Sequence, residues 1–336
     1  MAPARHHISR ASRPPLSVGA AVPLPDGRQL SYRALGPANG NPVLYMHGAI
    51  GSPLRRCEQL ERLIAAHRIR YIAVERPGFG ASTPSSGRTI ASFAADAAAL
   101  IDRLDAERVS VVGVSAGAPY ALACAALIPE RVRSVAVVSC TPHTRAPHTD
   151  PGMSRRLRLA LGLLAARPGA ARAIGARLCD AATAHPALVQ RAVARGAGGG
   201  GLGREDANET ATRSVLAVLG AGVDGMVDDY LTACRPWGFD PAAIERPVSI
   251  WHGAEDRITP SRASRALAAA IGSSSLRIVP GEGHFFMRRR LEEIVTPLLP
   301  QPAPPASPSA PRLASVQGRR DIASILDARE AAFAGA

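Results

Sequence analysis

The sequence predicts an α/β protein, with a mostly parallel central sheet flanked by helices and an all-helical stretch inserted after the sixth strand. Short β-branched runs such as 109–114 and 132–138 alternate with Ala- and Leu-rich segments at the spacing of βαβ units. One of these strands passes straight into a helix through Gly113-Val114-Ser115-Ala116-Gly117, a sharp small-residue turn. From about Thr141 to Gly238 the alternation stops and no convincing strand is visible.

In chain order, residues 1–19 are rich in Arg, His, Pro and Ser and read as a disordered lead-in. Asp26-Gly27 lies between two strand-like runs, a hairpin signal that opens the first part of the core, 20–140. Pro42 to His47 is a continuous apolar run suited to a strand covered on both faces. A helix is expected from Pro53 to His67, a strand from Ile69 to Glu75 and a helix from Thr89 to Leu104. The elbow strand then leads into a helix over Ala116–Ile128, stopped at Pro129, and a strand over Val132–Val138.

The insertion, 141–240, is expected to be helical over Arg155–Ala166, Ala170–Leu178, Thr212–Leu219 and Val223–Cys234. Gly196 to Gly201 matches G-x-G-x-x-G, but it follows no strand and opens no βαβ unit, so it is read as a low-complexity loop. The second part of the core, 241–300, is expected to hold strands at Val248–His252 and Ser275–Val279. Helices are expected at Pro260–Ile271 and from about Phe286 to Leu299. A Pro-rich linker and a C-terminal tail of unknown purpose fill 301–336.

The net charge of +13 does not mark a nucleic-acid surface. Every one of the 40 basic residues is arginine, dispersed along an Ala-rich chain, and aromatics are only 4%. That is the signature of a composition bias and not of a stacking platform. Five widely spaced cysteines without C-x-x-C argue against a disulfide framework or a zinc site, and for a reducing compartment; a cytoplasmic location is expected. The first 25 residues carry no apolar core of a signal peptide, and no apolar run is long enough for a membrane span. No metal or cofactor is indicated.

The elbow carries the chemistry. Lifting a serine hydroxyl above the end of a buried strand demands a tight, strained turn at Ser115. Residues two before and two after must then lack side chains that would strike the strand and helix. The turn leaves the Ala116 N–H at the start of a helix, where it can meet a developing oxyanion. The pentapeptide alone is a weak signal in a chain with this much Gly and Ser.

Further motifs follow other strand ends. They are His47-Gly48-Ala49-Ile50-Gly51-Ser52, the turn Arg76-Pro-Gly-Phe-Gly-Ala-Ser82, His252-Gly-Ala-Glu255-Asp256-Arg-Ile-Thr-Pro260, and Gly281-Glu-Gly-His284-Phe285. With these, over roughly 20–300, the chain resembles the α/β-hydrolase fold family, in its lidded serine hydrolase branch. The resemblance implies an oxyanion loop at His47–Ser52 and the catalytic order Ser115, Asp256, His284. Glu75 stands where the family often has Asp, and Ala49-Ile50 replaces the common x-Pro; both leave the backbone donor in place. Haloalkane dehalogenases and epoxide hydrolases of this fold carry Asp where this chain has Ser115.

The expected chemistry is nucleophilic. His284 would take the Ser115 proton, Asp256 would hold the imidazole tautomer, and the backbone N–H groups of Ala49 and Ala116 would form the oxyanion hole. Glu255 competes with Asp256 for the acid role, although the shorter Asp at the family spacing is preferred. His47 is read as structural, His143, His148 and His185 as solvated, and Cys140 as core packing. The expected activity is hydrolysis of a carboxylic ester or related small-molecule acyl substrate through an acyl-enzyme. A C–C bond hydrolase or a cofactor-free perhydrolase/haloperoxidase-like enzyme shares the same triad, and a hydrolase-like protein that only captures a small molecule is the reading from another class. The insertion is expected to act as a mobile lid hinged at Gly196–Gly203, with Trp237 and Met226 lining the pocket. Oligomeric state is not encoded in any feature of the sequence.

Overall fold

The computed structural model describes residues 19–49, 57–85, 87–141, 155–197, 212–213, 215–216 and 224–300. Strand β1 (Ala20–Pro23) turns through Gly27, at φ +84°, into β2 (Gln29–Leu35), the antiparallel hairpin that Asp26-Gly27 announces. The βα units that follow are β3 (Asn41–Met46), α1 (Glu58–His67), β4 (Ile69–Val74), α2 (Phe93–Arg103), β5 (Val109–Val114), α3 (Ala118–Leu127) and β6 (Val132–Val138). After the insertion come β7 (Val248–Gly253), α8 (Ser261–Ala270), β8 (Ser274–Val279) and a short α9 (Leu291–Val295).

The strands make one sheet in the order β1-β2-β4-β3-β5-β6-β7-β8. β1 and β2 run antiparallel and every pairing from β4 to β8 is parallel. The parallel strands are apolar on both faces because helices cover both. Val43, Leu44, Val111, Val135 and Val137 have no exposure at all. On one face β3, β5 and β6 pack with α2 and α3 around Leu100, Ile101 and Leu122. On the other they pack with α1 and the C-terminal segment around Leu60, Ile64 and Ile294.

Chain direction across the sheet reverses at β3, with β4 on one side and β5 on the other. In open α/β sheets the loops leaving two such strands diverge and open a crevice above their C-terminal ends. The loops in question carry His47 and Ser115.

Between β6 and β7 the insertion holds α4 (Arg155–Ala166), α5 (Pro168–Ala184), α6 (Pro186–Ala197) and α7 (Asp224–Ala233). Proline starts α5 and α6 at the first helical position, where its missing N–H costs nothing. α6 was not expected from the sequence, and α5 extends past the expected Leu178 to Ala184. Two other expectations are corrected. The helix predicted from Thr89 begins at Phe93, because Thr89 and Ser92 exchange backbone-to-hydroxyl bonds of 3.0 and 2.9 Å in a separate turn. The helix predicted over Phe286–Leu299 is broken into 3₁₀ turns around α9, and Pro297, which has no N–H to give, lies in the last of them. Most of the proposed hinge, 198–203, lies outside the described residues, as do Ile50–Ser52, His143 and His148.

The glycines of the elbow are explained by contact. A Cβ on Gly117 would lie 2.3 Å from the Met46 carbonyl oxygen and 2.5 Å from that of His47. One on Gly113 would lie 2.7 Å from both the Ala118 Cα and the Ala121 Cβ. Backbone cannot yield as a flexible side chain does, so Gly117→Ala should destabilise the fold by about 1–3 kcal/mol in urea unfolding. Gly272→Ala, whose Cβ would meet nothing within 4 Å, should stay within about 0.5 kcal/mol of the parent.

Candidate active site

Ser115 stands on the turn between β5 and α3 with φ +52°, a left-handed backbone that a non-glycine residue rarely adopts. Its surroundings hold it there: Gly113 and Gly117 pack flush on either side, and the hydrogen bonds of α3 begin immediately after it. Across the crevice lies Gly48, where an added Cβ would come within 3.3 Å of the Ser115 Cβ. The loop after β3 therefore sits beside the serine, as the crevice at β3 and β5 requires.

Asp256 follows β7 and His284 follows β8, and the structure brings them together. The His284 Nδ1 lies 2.7 Å from the Asp256 Oδ2. A carboxylate can only accept, so Nδ1 carries the proton and Nε2 of the neutral ring is the atom left to take one. Asp256 Oδ1 accepts from the N–H groups of Ile258 and Thr259 at 2.8 and 2.9 Å, and the Thr259 hydroxyl donates to Oδ2 at 2.9 Å. Burial alone would raise the Asp256 carboxyl, but His284, His252 and these donors outweigh it and hold the group far below the usual carboxylate range. Glu255, the competing carboxylate, is exposed. Ser115 makes no hydrogen bond to His284 among the described residues.

His252 and Thr259 were not singled out as support. The His252 Nε2 donates to the Thr259 carbonyl at 2.8 Å and lies 3.3 Å from Asp256 Oδ2, while its Nδ1 accepts from the Ser264 hydroxyl at 2.7 Å. The motif His252-Gly-Ala-Glu-Asp256 held the clue, because it places a histidine four residues before the acid.

The larger omission is a buried ionic cluster beneath the loop after β3. Arg76 has no exposure, and its guanidinium spans from the carbonyl of His47 to the carboxylate of Asp229 on α7. Asp229 also accepts from Arg88 at 2.8 Å and from the Tyr120 hydroxyl at 3.0 Å. Burial favours the neutral acid there, but the two arginines overcome it and keep Asp229 ionised. Burial, reinforced by the Arg76 charge, pulls His47 down to about 3, so its ring is neutral.

The remaining predicted residues fall elsewhere. Ala49 and Ala116 are half-buried beside the serine. Trp237 is only 4% exposed, belongs to the main core and stacks obliquely on Phe239 at 5.7 Å. Its carbonyl accepts from the Ala91 N–H at 3.0 Å ahead of α2. Met226 packs within the insertion against Cys179 and Val227. The insertion meets the histidine loop through Phe285, which packs on Val189, Val193 and Val215. Among the described residues no group of three His, Cys, Asp or Glu side chains is placed to hold a metal ion. No described helix is long and apolar enough to cross a membrane.

The model of the Alpha/beta hydrolase family matches residues 43–296. A putative non-heme chloroperoxidase of Synechocystis is 27% identical over 268 residues, 77% of this chain and 90% of that protein. A non-heme chloroperoxidase of Streptomyces lividans is 35% identical over 121 residues, 35% of this chain and 43% of that protein. In several of the relatives it matches, the aligned stretch spans only 30 to 43% of their length. Among solved structures, an esterase from Exiguobacterium antarcticum superposes with a TM-score of 0.62 at 18% identity, covering 84% of this chain and 98% of that one.

Two outcomes are expected from this geometry. Asp256→Asn should lower kcat by about four decades on any substrate turned over through His284, while Glu255→Gln should change it less than about threefold. Steady-state kinetics on both variants would expose the reverse ranking. The second concerns His47, whose folded value lies below the ordinary ~6.5, so the unfolded chain takes up the extra proton in the window between. Its stabilising contribution is whole above about pH 6.5 and is lost as the pH falls towards 3. From about pH 7 to about pH 4.5 the wild type should lose on the order of 2 kcal/mol more in urea unfolding than His47→Gln does.

Proposed function

Because the chain belongs to the Alpha/beta hydrolase family, we propose that it is a serine hydrolase that cleaves a carboxylic ester or related acyl compound through an acyl-enzyme on Ser115. The observation that carries this reading is the 2.7 Å Asp256–His284 bond, which turns Nε2 away from the carboxylate, together with a serine in a strained elbow at the end of β5 in the same sheet. His284 takes the Ser115 proton as Oγ attacks the acyl carbon. The amides of Ala49 and Ala116 receive the negative oxygen, and the protonated ring returns its proton to the leaving alcohol. Water, deprotonated by the same histidine, then releases the acid. The helical insertion serves as the lid that shapes the acyl pocket.

A second reading rests on the relatives named as non-heme chloroperoxidases. The acyl-enzyme does not distinguish water from hydrogen peroxide except by access and basicity, so peroxide in place of water would release a peracid. The same serine, histidine and aspartate would serve.

A fluorophosphonate probe should label the wild-type protein at Ser115 and leave Ser115→Ala unlabelled. The alanine variant should lose at least about three decades of kcat/KM on p-nitrophenyl acyl esters, retaining only what binding and the oxyanion hole supply. Turnover by Ser115→Ala at the parental rate would sink the proposal. Peracid formation in acetate and peroxide, assayed on the same preparations, separates the two readings.

A further inference from the structure

We propose that Arg76 is a positioning residue for the oxyanion loop, and that Asp229 of the insertion holds it in place. The inference rests on the assignment of Ser115 as nucleophile and of the Ala49 amide as an oxyanion donor. It adds a cause for the direction in which that amide points.

In a trans peptide unit the C=O and the following N–H point in opposite directions. Whatever grips the carbonyl therefore aims the amide. The Gly48 carbonyl is gripped twice, by the His47 Nδ1 at 2.7 Å and by the Arg76 Nη2 at 3.4 Å. These bonds turn the N–H of Ala49 away from the guanidinium, and among the described residues it has no acceptor of its own. The His47 carbonyl one residue earlier is also held by Arg76, through Nη1. With His47 neutral and its Nδ1 proton on the Gly48 oxygen, both peptide planes of the loop are fixed from below.

The guanidinium suits this task because it is flat and donates in several directions at once. Nε faces Asp229 Oδ2 at 3.2 Å, Nη2 bonds the same carboxylate, and the other face of the fork reaches the loop. Tyr120 and Phe79 lie 4.9 and 5.3 Å from its Cζ, so it cannot swing aside. A lysine in its place gathers its three donors on one nitrogen and lacks the flat fork that spans the carboxylate and the two carbonyls. Asp229 is itself fixed, since α7 lies against the turn after β4. A Cβ on Gly225 would come within 2.3 Å of the Gly78 oxygen.

A buried ion pair contributes little net stability over an apolar replacement, which separates a positioning role from a merely structural one. The test compares wild type, Arg76→Lys, Asp229→Asn and the apolar triple variant Arg76→Met/Arg88→Met/Asp229→Leu. Each is read well below its Tm by near-UV circular dichroism, by the rate of fluorophosphonate labelling, and by kcat and KM on a p-nitrophenyl ester. In every folded variant the labelling rate and kcat should fall about ten- to a hundredfold, within the loss seen when an oxyanion donor is removed, with KM changed less than about threefold. A folded triple variant that reacts at the parental rate overturns the proposal, and so does failure of all three variants to fold, which would assign the cluster to folding alone. A wild type that the probe never labels at Ser115 overturns instead the nucleophile assignment.

Discussion

At the elbow, backbone lies directly on backbone: Gly117 rests on the carbonyls of Met46 and His47 with no room for a side chain between them. That contact brings the end of β5 against the end of β3, and the rest of the site depends on it. It sets Gly48 beside Ser115 and so puts the amides of one loop within reach of a hydroxyl on another. It also explains how a serine at φ +52° persists, because flush packing on both sides of the turn leaves the chain no other course. The steric demand is met by the strands before any polar group takes part.

The polar groups then divide into two sets that do not touch. Asp256, Thr259, His252 and Ser264 hold His284 in one tautomer at the ends of β7 and β8. Arg76, Arg88, Tyr120 and Asp229 sit under the other side of the crevice, below the loop after β3. Each set holds its buried carboxylate on several donors, as a low-dielectric interior demands. The His47 Nε2 and the Arg88 Nε are buried without a hydrogen-bond partner among the described residues, while the His47 Nδ1 is held on the Gly48 carbonyl.

Most of the sheet was legible in the sequence because parallel strands buried on both faces write themselves as continuous β-branched runs. Val109–Val114 and Val132–Val138 are two of them, and their boundaries are those expected. The acid–histidine contact was legible for a related reason, since each residue closes a strand at a glycine-marked loop. The Arg76 cluster was not. Its members lie 153 residues apart at the extremes, in a turn and in a helix of the insertion. Two adjacent carboxylates, Asp228 and Asp229, give no period that tells which of them is buried. In the sequence Trp237 reads as lining the pocket, because Pro236-Trp237-Gly238-Phe239 closes the insertion with two of the chain's few large aromatics; its indole is buried in the main core, next to Gly238 at φ +83°.

The glycine contact between α7 and the turn after β4 has a consequence for how such a protein can diversify. α4, α5 and α6 present Leu159, Leu163, Ile174 and Leu188 to solvent, so their outer surface is open to substitution. α7 is different, because one of its carboxylates closes a charge cluster rooted in the core. The exchangeable module of the insertion thus ends before Asp224, well short of the strand that resumes the sheet. A chimera that imports a foreign cap beyond that border inherits two stranded arginines unless its own helix brings a carboxylate to the same place.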